Sequence, residues 1–260
     1  MTEFLPISST AHLRVVPALV GWEDPGAAYS AVVQLGTLAA VLVYFFRDLW
    51  KMAAAWGRGI VTRKPFEDHH SKMAWILIAG TVPIGVIGLI FQHQIETTLR
   101  SLWVVACALI ALALFLALAE AVGRRRREMG QIGWLDGMVI GCAQALALIP
   151  GASRSGVTIT AGLFTGLNRA DAARFSFLLS VPAVAASGLY EMYKLAKMPM
   201  GDVSWFCVLL GTLAAAVSGY LAIAGLIRFL QKRSTLVFIV YRILLGGAII
   251  ALLASDLLTS

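Results

Sequence analysis

Charge is what this chain lacks. Asp, Glu, Lys and Arg make up only 13% of its 260 residues, about half of the ~25% usual in soluble domains. That deficit excludes a freely soluble cytosolic enzyme and a disordered chain. It also excludes a domain coated in basic side chains for nucleic acid, so no nucleic-acid partner is expected. Cysteine is scarce as well. Cys107, Cys142 and Cys207 lie in apolar stretches, an odd number with neither a shared loop nor a zinc-type spacing, which argues against a disulfide framework. No basic stretch precedes an apolar run at the N-terminus, so no cleavable signal is expected. Apolar residues are abundant instead, at 59% with a mean hydropathy of +0.82. The chain reads as an integral membrane protein, and its net charge of +7 then bears on topology.

A spanning helix needs roughly 20 mostly apolar residues, and six stretches qualify: 28–46, 73–91, 101–121, 175–192, 204–228 and 235–254. Short polar loops are expected between them. The segments 47–72, 123–134 and 228–234 hold thirteen of the 21 basic residues, among them Arg124, Arg125, Arg126 and Arg127. The alternate segments 92–100 and 193–203 hold only Arg100, Lys194 and Lys197. This asymmetry places the basic loops in the cytoplasm.

With that orientation, residues 135–168 must leave the cytoplasm and return to it. Two apolar arms, from Gly133 to Ile149 and from Val157 to Leu167, flank a polar break. A re-entrant helical hairpin is predicted, its tip buried against protein or a water-filled cavity. By the same count, residues 1–20 around Pro6 form a second hairpin entering from outside. The fold expected is all-α: one membrane domain over residues 1–260, with six transmembrane helices and two re-entrant hairpins. Its halves, about 1–127 and 130–260, each contain an odd number of crossings and are therefore inverted relative to one another.

The strongest local signal is 150–158, Pro-Gly-Ala-Ser-Arg-Ser-Gly-Val-Thr. Glycines let the backbone approach a ligand, and the helix that follows offers N–H groups to an anion. Arg154 adds a planar fork suited to phosphate oxygens, and Ser153, Ser155 and Thr158 add hydroxyls. A buried arginine is costly unless paired, so a phosphate or carboxylate partner is expected; the plainer alternative is a cap with Arg154 on a protein carboxylate. The second signal is Glu3, Ser8, Ser9, Thr10 and His12. A carboxylate, hydroxyls and an imidazole this close can supply a nucleophile, its base and a metal ligand, although a serine before a helix is usually a cap.

These residues resemble the membrane undecaprenyl-diphosphate phosphatases of the bacitracin-resistance type. The resemblance rests on Thr-Glu-Phe-Leu-Pro-Ile-Ser-Ser-Thr at 2–10 with His12, on Gln-Leu-Gly-Thr at 34–37, on Pro-Gly-Ala-Ser-Arg-Ser-Gly at 150–156 and on Arg-Phe-Ser-Phe-Leu-Leu at 174–179. It covers almost the whole chain. The resemblance implies hydrolysis of a polyprenyl diphosphate to the monophosphate in the bacterial inner membrane. That reaction recycles the lipid carrier of peptidoglycan synthesis and requires a divalent cation, Mg or Ca. It places the family's carboxylate on Glu3, its nucleophile on Ser9, its histidine on His12 and its phosphate grip on Ser153, Arg154 and Thr158. The family's first motif starts upstream with an acidic or amide residue and a glycine, which puts that expected ligand before Met1.

Ser8, Thr10 and Ser155 are further phosphate-binding candidates, Gln34 and Arg174 are candidates to line the cavity, and Glu3 is the candidate metal ligand. The residues leave open whether Ser9 or Ser8 attacks, or whether water attacks with His12 or Glu3 as base. A homodimer and a lipid bilayer are the remaining expected partners. The competing reading is a transporter or flippase for an anionic polyprenyl lipid, which needs the anion grip without an ordered nucleophile. Glu67, Asp68, His69 and His70 read as a solvated loop, and the seven tryptophans as interfacial anchors. Pro83 and Pro182 fall inside spans.

Overall fold

The structure is a computed structural model. It describes residues 1–21, 26–197 and 205–255, with the side chains of 18–20, 26–33, 96, 189–197 and 205–208 excluded. The expectations for Trp22, Glu96, Lys194, Lys197, Trp205 and Cys207 lie outside the described residues.

Among the described residues, regular structure is helical. The helices are α1 (Ser9–Val20), α2 (Gly26–Tyr44), α3 (Phe46–Val61), α4 (His69–Ile90), α5 (Gln92–Glu96), α6 (Leu102–Val122), α7 (Trp134–Ala145), α8 (Arg154–Phe164), α9 (Arg169–Lys197), α10 (Trp205–Lys232) and α11 (Leu236–Ala254). Four of them are long and apolar enough to cross a bilayer: α4, α6, α10 over Leu209–Lys232, and α11. Their apolar side chains remain largely exposed on the outside, as lipid-facing helices require. Pro83 lies within α4 and Pro182 within α9.

The segment 47–72 differs from expectation. It is not a polar loop throughout, because α3 occupies most of it. Met52, Ala55 and Gly59 recur at helical spacing and are buried, whereas Arg47, Lys51 and Arg58 take the exposed side. Phe46 and Trp50 are also exposed and stack on one another. Counting charge alone hid this amphipathic period. Beyond it, Asp68 caps α4 by accepting the N–H groups of His70 and Ser71; these bonds hold its carboxyl below the ordinary carboxylate range.

Close helix approach explains where α7 lies. Gly137 and Gly141 are four residues apart on α7 and face α4. A Cβ at Gly141 would stand 2.3 Å from the Gly80 carbonyl oxygen, and one at Gly137 only 2.2 Å from the Ile76 side chain. Small residues at this spacing let membrane helices pack by backbone contact.

At the basic end of the bundle, the arginines are fastened to carboxylates. Glu120, near the end of α6, accepts from Arg125 at 2.7 Å, from Arg169 Nε at 2.8 Å and from the Thr235 hydroxyl at 2.9 Å. Arg127 forks onto Asp136 at 2.8 and 2.6 Å and also donates to the Thr165 carbonyl. The Asp136 hydrogen bonds raise the Arg127 pKa above its ordinary value. Glu120 therefore ties α6 to α9 and to the start of α11, and Arg127, one of the four arginines expected to set topology, ties α7 to the end of α8.

Candidate active site

Two turns meet inside the bundle. The first, residues 1–8, leads into α1; the second, 149–153, joins the 3₁₀ turn Leu146–Leu148 to α8. Each ends on a serine cap with nearly the same left-handed backbone: Ser8 at φ 71°, ψ 102° and Ser153 at φ 66°, ψ 107°. Ser8 Oγ accepts the Ala11 N–H at 3.3 Å, and Ser153 Oγ accepts the Gly156 N–H at 3.2 Å. Non-glycine residues hold such backbone only where their surroundings over-determine it.

The surroundings here are the opposite turn. The Gly151 N–H donates to Thr10 Oγ1 at 3.1 Å, and Ser155 Oγ donates to the Leu5 carbonyl at 3.1 Å. In both cases the hydroxyl two residues past the cap reaches across to the partner's turn. Gly151 admits no side chain: its φ is +92°, and a Cβ would meet the Val105 carbonyl oxygen at 2.4 Å.

Arg154 opens α8 at this junction. Its side chain is only 19% exposed and lies 3.8 Å from Glu3 Oε2, which is likewise 19% exposed. That separation is an electrostatic contact, too long for a hydrogen bond. No guanidinium nitrogen of Arg154 makes a hydrogen bond among the described residues, so its donor fork is unspent. A narrow crevice lined by Phe4, Thr37, Val41, Arg154 and Ser180 reaches it. The first N–H groups of α8 that the cap does not use add donors of the same sign.

The hydroxyls divide into committed and free. Ser8 is buried and spent on its cap and on Thr10, 3.0 Å away. Thr158 is buried, its hydroxyl donating to the Arg154 carbonyl and touching Ser176 Oγ at 2.6 Å. Ser153 and Ser155 lie 3.3 Å apart, Oγ to Oγ. Ser9 alone of the candidate hydroxyls is half-buried with no hydrogen bond from its Oγ among the described residues.

His12 turns to α11. Its Nδ1 is 2.7 Å from the Ser8 carbonyl oxygen and its Nε2 2.6 Å from the Tyr241 hydroxyl, with the two rings stacked. A carbonyl only accepts, so Nδ1 carries a proton and donates to the Ser8 carbonyl.

The structure thus brings Glu3, Ser8, Thr10, Ser153, Arg154 and Ser155 to one junction, with Ser9 between Ser8 and Thr10 at the start of α1. Thr37, one turn past Gln34, lines the crevice, and Gln34 itself takes the Thr37 hydroxyl on its carbonyl. Arg174 is elsewhere. It pairs with Asp48 of α3 at 3.0 Å and lines a separate cavity of about 190 Å³ with His69 and His70.

Three residues escaped the sequence reading. Arg242 is fully buried in α11, and its charge in the middle of an apolar run was a legible signal. Gln144 of α7 is buried with both amide atoms unpartnered. Tyr241 carried no signal, since a tyrosine in a span usually anchors an interface.

The donors fit a divalent cation only in a limited sense. No group of three or more His, Cys, Asp or Glu side chains is gathered among the described residues, so these residues build no complete cage. Among them Glu3 is the carboxylate beside Arg154, which suits an Mg ion bound through one carboxylate and the oxygens of a phosphate substrate.

Known proteins match nearly the whole chain. The bacitracin resistance protein BacA family matches residues 1–248. The chain is 53% identical over 266 aligned residues to the undecaprenyl-diphosphatase of Chlorobium phaeobacteroides (strain BS1), covering 99% of this chain and 94% of that one. It is 52% identical, with the same coverage, to the undecaprenyl-diphosphatase of Pelodictyon phaeoclathratiforme. To that of Chloroherpeton thalassium it is 50% identical over 98% of this chain and 93% of the relative. A match across nearly the full length, at half of all positions, makes this chain a member of the bacitracin resistance protein BacA family.

Proposed function

We propose that this protein is a membrane phosphatase that hydrolyses undecaprenyl or a similar polyprenyl diphosphate to the monophosphate and inorganic phosphate. The observation that carries the reading is Arg154: a guanidinium four-fifths buried, with no hydrogen bond, at a junction that also holds a free serine hydroxyl and a carboxylate. A fork held this way in a low-dielectric site suits a terminal phosphate. The relatives' name points to the same chemistry.

In this reading α2, α4, α6, α9, α10 and α11 cross the bacterial inner membrane. Residues 1–20 and 133–167 form re-entrant hairpins in inverted halves, and the basic loops face the cytoplasm. The matching backbone of Ser8 and Ser153 and the reciprocal Thr10 and Ser155 bonds support that symmetry.

The polyprenyl tail stays in lipid while the diphosphate is brought to Arg154 at the junction of the turns, where the crevice, too narrow for a water molecule in this structure, must widen to admit it. Arg154 and the free N–H groups of α8 bind the terminal phosphoryl group and stabilise the charge spread over its oxygens. Ser9 Oγ attacks that phosphorus in line, its proton passing to Glu3. The bond to the bridging oxygen breaks, and polyprenyl monophosphate leaves, its bridging oxygen taking the proton from Glu3. Water then attacks the phosphoserine, giving a proton to Glu3 that passes on to Ser9 Oγ as its P–O bond breaks, which returns Ser9 and inorganic phosphate. His12, held by the Ser8 carbonyl and Tyr241, fixes the first turn of α1 beneath Ser9. A divalent cation would be held by Glu3 and the substrate's own phosphate oxygens, where it neutralises phosphate charge.

The test is phosphate release from a short-chain polyprenyl diphosphate by detergent-purified protein, with and without chelator. Release that is lost in R154A supports the reading. No release by the wild type, with intact anion binding, leaves transport of the lipid as the better account.

A further inference from the structure

We propose that Arg242 is a positioning residue for phosphoryl transfer, holding the second turn so that its N–H groups, and not its carbonyls, face the phosphate. The proposal rests on the phosphatase reading above and concerns a residue that never touches substrate. Arg242 sits on α11 with no measurable exposure. Its Nη2 donates to the carbonyls of Ala152 at 3.0 Å and Gly151 at 3.3 Å, both in the turn that precedes the Ser153 cap. Its Nε donates to the Leu109 carbonyl of α6 at 3.2 Å, with the Ala108 carbonyl at 3.5 Å from Nη2. One guanidinium thus bridges two helices and the turn.

The charge has no carboxylate partner in any of these bonds, which is costly inside a bilayer and calls for a reason. The chemistry of the turn supplies it. A turn at the head of α8 exposes both carbonyl and N–H dipoles, and carbonyl oxygens near an anion oppose binding. Arg242 draws two of those carbonyls to itself, and it is not among the residues that line the crevice. The α8 amides and Arg154 are then left to define the potential at the tip. The fit is tight: a Cβ at Gly156 would stand 2.5 Å from Arg242 Nη1, and that nitrogen is buried without a partner among the described residues. The preceding residue, Tyr241, holds His12 of the first hairpin. Two consecutive residues of α11 therefore fix both tips at once.

The experiment uses full-length protein in detergent and compares wild type, R242K, R242Q, G156A and the G156A/R242K double variant. Lysine keeps the charge but lacks the fork; glutamine donates without the charge. A positional shift near 1 Å predicts that kcat of R242K falls about 100-fold and that KM rises by about tenfold, because the same N–H groups also hold the ground-state phosphate. G156A, whose Cβ would stand 2.5 Å from Nη1 and 3.1 Å from Ser153 Cβ, loses activity in the Arg242 background and costs clearly less in R242K, where the Nη1 contact is gone and only the crowding of Ser153 remains. Turnover of R242K and R242Q within twofold of wild type, or full additivity of G156A with R242K, overturns the proposal. If neither Arg242 variant elutes as folded protein, G156A decides alone, and wild-type turnover there overturns it. A silent wild type sinks the phosphatase reading instead. Calorimetric binding of inorganic phosphate by wild type and R242K then tests the tip's anion grip by itself, with equal binding overturning the proposal.

Discussion

The basic end of the bundle and the meeting of the two turns both contain arginine and glutamate, and they use them in opposite ways. At the basic end Glu120 gathers Arg125, Arg169 and Thr235, and Arg127 is saturated by Asp136 and a carbonyl. At the turns, Arg154 faces Glu3 across 3.8 Å without a hydrogen bond. Paired charges of the first kind fasten elements; the guanidinium of the second kind, without a hydrogen bond among the described residues, is the one that the proposed function assigns to a ligand. Substitution at the basic end should therefore move stability and leave turnover alone, and substitution at the turns should do the reverse.

The largest effect is expected at the turns. R154A and S9A should each lower kcat by about a thousandfold or more, since each removes a group engaged chiefly in the transition state. R154K should not rescue, because a point charge lacks the fork. Both variants should keep thermal stability within a degree or two of wild type, on the order of 0.5 kcal/mol. The check is single-turnover phosphate release beside a melting curve in the same detergent. An R154A protein that melts early but turns over normally would reverse the roles assigned to the two regions.

At the basic end, E120Q is the matching substitution. Breaking a buried pair costs roughly 3–5 kcal/mol. The Glu120 side chain stays 14% exposed, so a loss of about 2–3 kcal/mol is expected. The melting temperature should drop while kcat of the folded protein stays at the wild-type value. A lowered kcat at unchanged stability would show that Glu120 communicates with the turns.

Much of this contrast was legible in the sequence. Apolar run lengths placed the four membrane-competent helices, and an arginine among hydroxyls drew attention to the second turn, where Arg154 makes no hydrogen bond among the described residues. What could not be read was which hydroxyls were spent. Ser8, Ser9 and Thr10 look equivalent in a string. Only their backbone angles and partners separate a cap, a free hydroxyl and a strut to Gly151. Thr158 looked like a phosphate ligand, but helical periodicity turns its hydroxyl onto Ser176. Arg242 was visible as an intramembrane charge, yet its partners are carbonyls of residues more than ninety positions away or nearly so, and carbonyls have no sequence signature. The α3 helix was hidden because its charges dominate a composition count, whereas its buried face is only Met52, Ala55 and Gly59.

A smaller effect tests the scaffold beneath both regions. G141A places a methyl group 2.3 Å from the Gly80 carbonyl oxygen, backbone that cannot yield as a side chain does. Overpacking of this kind costs about 1–3 kcal/mol. Because α7 leads into the second turn, a separation of α4 from α7 should lower stability first and kcat only modestly. Thermal melting and phosphate release on one preparation separate the two.

The finest distinction lies at Ser8, where structure and chemistry make different predictions for two small replacements. S8A loses the cap to Ala11 and keeps a Cβ in left-handed backbone at φ 71°, so stability should fall by about 1 kcal/mol or slightly more. S8G also loses the hydroxyl, but glycine takes that backbone without strain, and a glycine cap costs only a few tenths of a kcal/mol. S8G should therefore melt above S8A. If Ser8 serves only as a cap, phosphate release should recover in the same order. Equal, near-complete inactivity of two folded variants would instead make the Ser8 hydroxyl part of the chemistry, and Ser9 would lose its place as the attacking group.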